Sequence, residues 1–199
     1  MESTEFFSKH FEERPIMAIF RGQSPARTVE LCRTVWALGI DLVEIPVQSE
    51  VAIPSLRAAI AEARSSGRIV GAGTVTTLEQ LREVKQLGAM FTVAPGFADD
   101  VARESARLDI PHLPGVATAT EISHAVRGGF RWLKAFPAAQ LGTGWVRAQH
   151  GPFPSVKFVA TGGIDADNAA DFLASGCGAV SIGSAFTSGS DLAFLDNLK

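Results

Sequence analysis

Lys134 stands between two aromatic residues in the run RWLKAFP. Alternation along a strand puts Trp132, Lys134 and Phe136 on one face and Arg131, Leu133 and Ala135 on the other. Water reaches such a lysine poorly. Desolvation disfavours an ammonium, and an amine that is neutral for part of the time can attack a carbonyl and form a Schiff base. The same position also suits a lysine that snorkels to a rim or pairs with a carboxylate. Glu44, in DLVEIP, shares a face with Leu42 and Pro46. An acid inside a buried strand needs a partner. It can act as a general base at carbons next to an imine, or as the ion-pair partner of Lys134 or Arg21.

Two glycine turns bear on ligand type. Thr161-Gly162-Gly163 ends one apolar run and Gly183-Ser184 ends the next. Backbone N–H groups exposed at such turns, close to helix starts, suit phosphate or another small anion, whereas the bland reading is a tight strand-to-helix turn. Gly71-Ala72-Gly73-Thr74 lacks the full GxGxxG spacing, which argues against a dinucleotide loop. The four histidines, His10, His112, His124 and His150, form neither HxH nor HExxH, so no metal site is expected and most are read as surface residues. Cys32 and Cys177 carry no metal or disulfide spacing, and no GxSxG elbow is present.

These residues fall at the ends of apolar runs that alternate with helical segments. The runs are PIMAIFR, DLVEIP, RIVGAGT, MFTVAPG, PHLPG, RWLKAFP, KFVATGG and AVSIGSA, each separated from the next by roughly one strand plus one helix. Continuous apolar strands alternating with helices imply a parallel sheet covered by helices. Helix starts are marked by Ser24-Pro25 and by the capping-box pairs Thr77/Gln80 and Thr118/Glu121; Gly39, Gly88, Gly128 and Gly176 mark helix ends. Trp36 and Phe172 fall on helical core positions, and LGTGWVRAQHGPFP has room for a short helix only. Eight such units predict an α/β fold, a (β/α)8 TIM barrel forming a single domain over residues 1–199. In that fold the active site lies at the C-terminal strand ends, which selects Arg21, Glu44, Thr74, Pro95, Lys134, the Thr161–Gly163 turn and Ser184.

Composition sets the outer bounds. The 199 residues carry 18 Lys plus Arg against 21 Asp plus Glu, a net charge of −3. With no basic block, a nucleic-acid partner is not expected. No stretch approaches the ~20 apolar residues of a membrane span, and the charged opening segment does not read as a secretory signal, so a cytoplasmic protein is expected.

At this point the chain resembles a family: the class I aldolases that cleave 2-keto-3-deoxy-6-phosphogluconate (KDPG), with their 6-phosphogalactonate and 4-hydroxy-2-oxoglutarate (KHG) relatives. The resemblance is carried, in order, by IFRG, VEIPVQS, GAGTV, VAPG, PGVATATE, LKAFPA, GPFPSVKFVATGGI and IGSAF. It implies a homotrimeric barrel that needs no metal or cofactor, its covalent imine forming on Lys134. By position Glu44 matches the family's proton-transferring glutamate, and Thr74 a residue that holds the pyruvate carboxylate. Pro95 and Phe136 match the walls of the pyruvyl pocket. Thr161, Gly162, Gly163, Gly183 and Ser184 match the turns near the far hydroxyl and phosphate, and Arg21 an arginine near the substrate's charged groups. Gln48 stands where the phosphogluconate enzymes carry an arginine; glutamine can donate a hydrogen bond but brings no charge.

The reaction implied is reversible cleavage of a 2-keto-3-deoxy-6-phospho sugar acid, of gluconate or galactonate type, to pyruvate and glyceraldehyde 3-phosphate. The alternatives are KHG cleavage to pyruvate and glyoxylate, a phosphosugar epimerase or isomerase using Glu44 as base, and a silent metabolite-binding barrel.

Overall fold

The computed structural model describes residues 2–49, 52–188 and 192–198. Nine parallel strands form one sheet: β1 (Ile16–Ile19), β2 (Leu42–Pro46), β3 (Ile69–Gly73), β4 (Thr92–Val93), β5 (His112–Leu113), β6 (Gly115–Val116), β7 (Trp132–Ala135), β8 (Lys157–Thr161) and β9 (Ala179–Ile182). Their order is β5-β4-β3-β2-β1-β9-β8-β7-β6. The eight expected strands become nine because the fifth is cut at Pro114, which has no N–H to give to a ladder. Its two halves belong to one strand position. β5 pairs with β4 and β6 with β7, the Gly115 N–H donates to Gly96 O (3.2 Å), and Pro114 O accepts from the Lys134 N–H (2.9 Å). The ring therefore closes through this segment, as the (β/α)8 reading requires.

Helices α2 (Pro25–Ala37), α3 (Ile53–Ser66), α4 (Leu78–Leu87), α5 (Asp99–Arg107), α6 (Ala119–Arg127), α7 (Ala138–His150), α8 (Ala169–Ala174) and α9 (Ser184–Thr187) follow successive strand positions, after an N-terminal α1 (Ser3–His10). The local signals act as read. Ser24 accepts from the Arg27 N–H with Pro25 in the first turn, and both capping boxes form. Gly88 ends α4 at φ 99°, in the left-handed region that glycine enters without steric cost. Trp36 and Phe172 are buried in the outer core. Helix α7 starts directly after Pro137 and consists of two short pieces parted at Gly142 (φ 76°, ψ 163°), the second of which is the short helix read in LGTGWVRAQHGPFP.

Strand register sorts the inward side chains into layers, each drawn from alternate strand positions. Leu42, Phe91, Trp132 and Ala179 form the floor, with Met17, Gly71, Leu113 and Val159 above them. Glu44, Val93, Lys134 and Ser181 come next, followed by Ile19, Gly73, Gly115 and Thr161. The lower layers form an apolar cluster separate from the shell between strands and helices. Helix α1, which the sequence reading did not assign, plugs the floor: Phe6, Phe7 and Phe11 join this cluster, Phe11 packs 4.9 Å from Trp132, and Trp132 Nε1 donates to Ser8 Oγ at 2.9 Å. A barrel sealed from below leaves its mouth as the way in.

Candidate active site

Two ionisable groups interrupt the apolar filling, and they belong to the same layer. Lys134 sits on β7 and Glu44 on β2, at opposite positions of the ring, and their side chains meet across the barrel axis with Nζ 3.8 Å from Oε1. The sequence reading put both at C-terminal strand ends; the ring sets them face to face, with Glu44 in mid-strand. Lys134 is 3% exposed and Glu44 0%. At 3.8 Å the pair is too long for a direct hydrogen bond, and neither Glu44 oxygen has another hydrogen-bond partner among the described residues. A buried carboxylate and amine paired by charge alone are an expensive arrangement for stability. Chemically they are well placed: a keto acid entering from the mouth meets the amine at its carbonyl and the carboxylate's open lone pairs beside it.

The layer above makes room for the Glu44 carboxylate and for the Pro95 backbone. Two of its four members, Gly73 and Gly115, have no side chain. A Cβ on Gly73 would overlap the Glu44 carboxylate, and one on Gly115 would overlap the Pro95 backbone. Sequence reading put GAGT at the end of a strand run and rejected a dinucleotide loop, but missed that Gly73 leaves room for Glu44; strand pairing of Pro46 with Gly73 sets the two side by side.

The remaining expected residues gather on the same C-terminal rim. Lys134 Nζ lies 5.2 Å from the centroid of the half-buried Phe136 ring, which also packs against Gly162. Thr74 follows β3 at φ 59°, a left-handed conformation that is an outlier for a β-branched residue, and its hydroxyl donates to Gln48 Oε1 at 3.4 Å. Arg21 and Gln48 are exposed and line a groove of about 280 Å³ together with Pro46 and Ser49. The Arg21 guanidinium has no ion-pair partner among the described residues, so the structural pairing of Glu44 is with Lys134. Pro95 is half-buried just beyond β4. Thr161 closes β8 with its hydroxyl on Val159 O (3.3 Å), while Gly162 (φ 93°) and Gly163 (φ 71°) turn the chain in the left-handed region. Gly183 precedes α9 and Ser184 begins it, exposed, on the neighbouring strand position.

Other reactive types stay outside this centre. Most histidines were expected at the surface, but His112 is 1% exposed, on the outer face of β5, with Nδ1 2.9 Å from Thr92 Oγ1; burial pushes its imidazole down to about 4. Burial pushes the Cys32 and Cys177 thiols up to about 12, which leaves them inert as nucleophiles. Among the described residues no group of three or more His, Cys, Asp or Glu is placed to hold a metal ion, and no helix is long and apolar enough to cross a membrane.

A parallel barrel with a buried lysine and glutamate facing each other beneath its C-terminal mouth fits a class, the barrel lyases that work on carbonyl compounds through a lysine imine. Within that class, residues 7–197 match the KDPG and KHG aldolase family, and the chain belongs to it. It is 33% identical over 161 residues to the KHG/KDPG aldolase of Escherichia coli (strain K12), covering 80% of this chain and 75% of that one. It is likewise 33% identical over 174 residues to the 2-dehydro-3-deoxy-6-phosphogalactonate aldolase of the same strain, covering 85% and 83%. Among solved structures, the KDPG aldolase from Legionella pneumophila, with pyruvate captured as a covalent carbinolamine intermediate, superposes with a TM-score of 0.83 at 28% identity over 96% of this chain and 95% of that one.

Proposed function

We propose that this protein is a class I aldolase that reversibly cleaves a 2-keto-3-deoxy-6-phospho sugar acid, of gluconate or galactonate configuration, to pyruvate and glyceraldehyde 3-phosphate. The observation that carries this reading is the buried Lys134–Glu44 pair, 3.8 Å apart beneath the barrel mouth. Lys134 as the free amine adds to the C2 ketone, and loss of water gives an iminium. Glu44, directly or through a water, takes the C4 hydroxyl proton. The C4–O electrons form the aldehyde carbonyl, and the C3–C4 pair flows through C2 onto the iminium nitrogen to make an enamine. No free carbanion forms, which is where the barrier is lowered. The enamine is then protonated at C3, and hydrolysis releases pyruvate and the amine.

The other residues take roles from their places on the rim. Thr74 binds the pyruvyl carboxylate, helped by Arg21 and the Gln48 amide, while Pro95 and Phe136 pack against the pyruvyl carbons. Thr161, Gly162, Gly163, Gly183 and Ser184 face the far hydroxyls and the phosphate. Neither metal nor cofactor takes part. The working unit is one domain over residues 1–199, a homotrimer in the cytoplasm, and light scattering checks the trimer.

Incubation with pyruvate, borohydride reduction and peptide mass spectrometry tests the chemistry. An adduct on Lys134 is expected. Folded protein that yields none at saturating pyruvate overturns the proposal and leaves the pair as an ion pair serving an epimerase or a binding protein. A second reading, KHG cleavage to pyruvate and glyoxylate, is favoured by the uncharged Gln48 and by the relative whose name covers both substrates. The ratio of kcat/KM for the phosphorylated and unphosphorylated acids separates the two.

A further inference from the structure

The layer that holds Lys134 and Glu44 has a third polar member. Ser181 lies on β9, paired in register with Thr161 on one side and Met17 on the other, so it faces the barrel interior with Ala179 below and Gly183 above on the same face. Around the layer the order is Glu44, Val93, Lys134, Ser181. By register, Val93 and Ser181 are thus the two members of the layer that lie between the strands of Lys134 and Glu44, an apolar residue on one flank and a hydroxyl-bearing one on the other. Ser181 is 3% exposed, and its Oγ has no hydrogen-bond partner among the described residues. Burying a hydroxyl unpaired carries a desolvation cost that alanine would avoid, and Ala179 shows that the methyl side chain suits this strand face. The unpaired hydroxyl therefore has its use when something occupies the layer.

Resting on the imine chemistry above, we propose that Ser181 hydrogen-bonds the oxygen that leaves C2 of the keto acid when the carbinolamine on Lys134 collapses, and that returns as water on hydrolysis. Between ammonium and iminium the lysine nitrogen gives up two protons. The carbonyl oxygen gains both as the C2–N double bond forms and the C2–O bond breaks, and it departs as water. Glu44 carries the protons; Ser181 holds the oxygen in reach of Glu44 while it does so. Ser181 also binds the attacking water in the reverse direction.

The test compares the full-length wild type with Ser181→Ala and Ser181→Thr, the latter restoring the hydroxyl. Pyruvate adduct on Lys134 is followed in time by borohydride quenching and mass spectrometry, exchange of pyruvate methyl protons is followed by NMR in D2O, and thermal melting is recorded in parallel. Ser181→Ala is expected to melt no lower than wild type, to carry its adduct on Lys134, and to form and exchange it about tenfold more slowly, the loss of one hydrogen bond to a reacting oxygen. Ser181→Thr is expected to recover most of the rate. Equal adduct and exchange rates in wild type and Ser181→Ala overturn the role for Ser181 and leave the aldolase reading standing; so does a Ser181→Ala protein that melts well below wild type, which marks a structural residue. A wild type that forms no adduct overturns both.

Discussion

Replacing Lys134 with methionine tests two consequences of the central pair at once. Methionine keeps the volume of the lysine stem and removes the amine, so the packing around Trp132 and Phe136 is disturbed little. What it leaves is Glu44, 0% exposed and without a hydrogen-bond partner for either oxygen among the described residues. Taking one partner from a buried ion pair typically costs about 3–5 kcal/mol, because the surviving charge loses its compensation. Against the ~5–15 kcal/mol that holds most domains together, that is a large fraction, and in a chain of this size it corresponds to a melting shift on the order of 10 °C. The double variant Glu44→Gln/Lys134→Met removes the stranded charge and is expected to regain most of the loss. Activity behaves differently. Both variants lack the imine-forming amine and are expected to fall by more than about a thousandfold. Chemical denaturation of wild type, Lys134→Met and the double variant supplies the first arm, and pyruvate release coupled to lactate dehydrogenase and NADH supplies the second. A Lys134→Met protein as stable as wild type would refute the reasoning about the buried carboxylate; one that keeps even a tenth of its turnover would refute the imine.

Gly73→Ala places a methyl against the Glu44 carboxylate. Overpacking of this kind costs about 1–3 kcal/mol, and kcat for cleavage is expected to drop more than pyruvate trapping on Lys134, an ordering that paired assays check. Gln48→Arg adds a cation beside Thr74 and Arg21 on the rim, so KM for a phosphorylated keto acid is expected to fall a few fold with kcat nearly unchanged; an unchanged KM would remove Gln48 from substrate binding. The buried, neutral His112 ties stability to pH. Its folded-state value of about 4 lies below the ordinary 6.5, so the stability it protects is fully present above pH 6.5 and is lost as pH falls towards 4. The loss amounts to about 3 kcal/mol, and urea melts of wild type and His112→Asn across that range are expected to converge towards pH 4 by this amount.

Caps and alternation were legible in the sequence because their physics is local. The Ser24 cap and the boxes at Thr77 and Thr118 close over three residues, and a period of two places Lys134 with Trp132 and Phe136 whatever lies beyond the strand. Eight apolar runs, each followed by a helical segment, were enough to specify a parallel barrel and to single out one lysine and one glutamate. Their relation was another matter. That Glu44 faces Lys134 across the axis depends on ring closure through the Pro114 break and on the register of every strand between them, and no spacing along the chain encodes it. The same holds for Gly73, whose missing side chain matters only because β3 runs beside β2, and for Ser181, which strand register places in the layer of Lys134 and Glu44 with no hydrogen-bond partner for its hydroxyl among the described residues. It holds too for His112, which is buried only because the sheet and its helices enclose it, and for Phe6, Phe7 and Phe11, whose target is a floor assembled from distant strands. Local chemistry chose the elements and the reactive residue types. Distances between groups far apart in sequence are set by closure of the whole barrel, and so the working centre exists only in the tertiary structure.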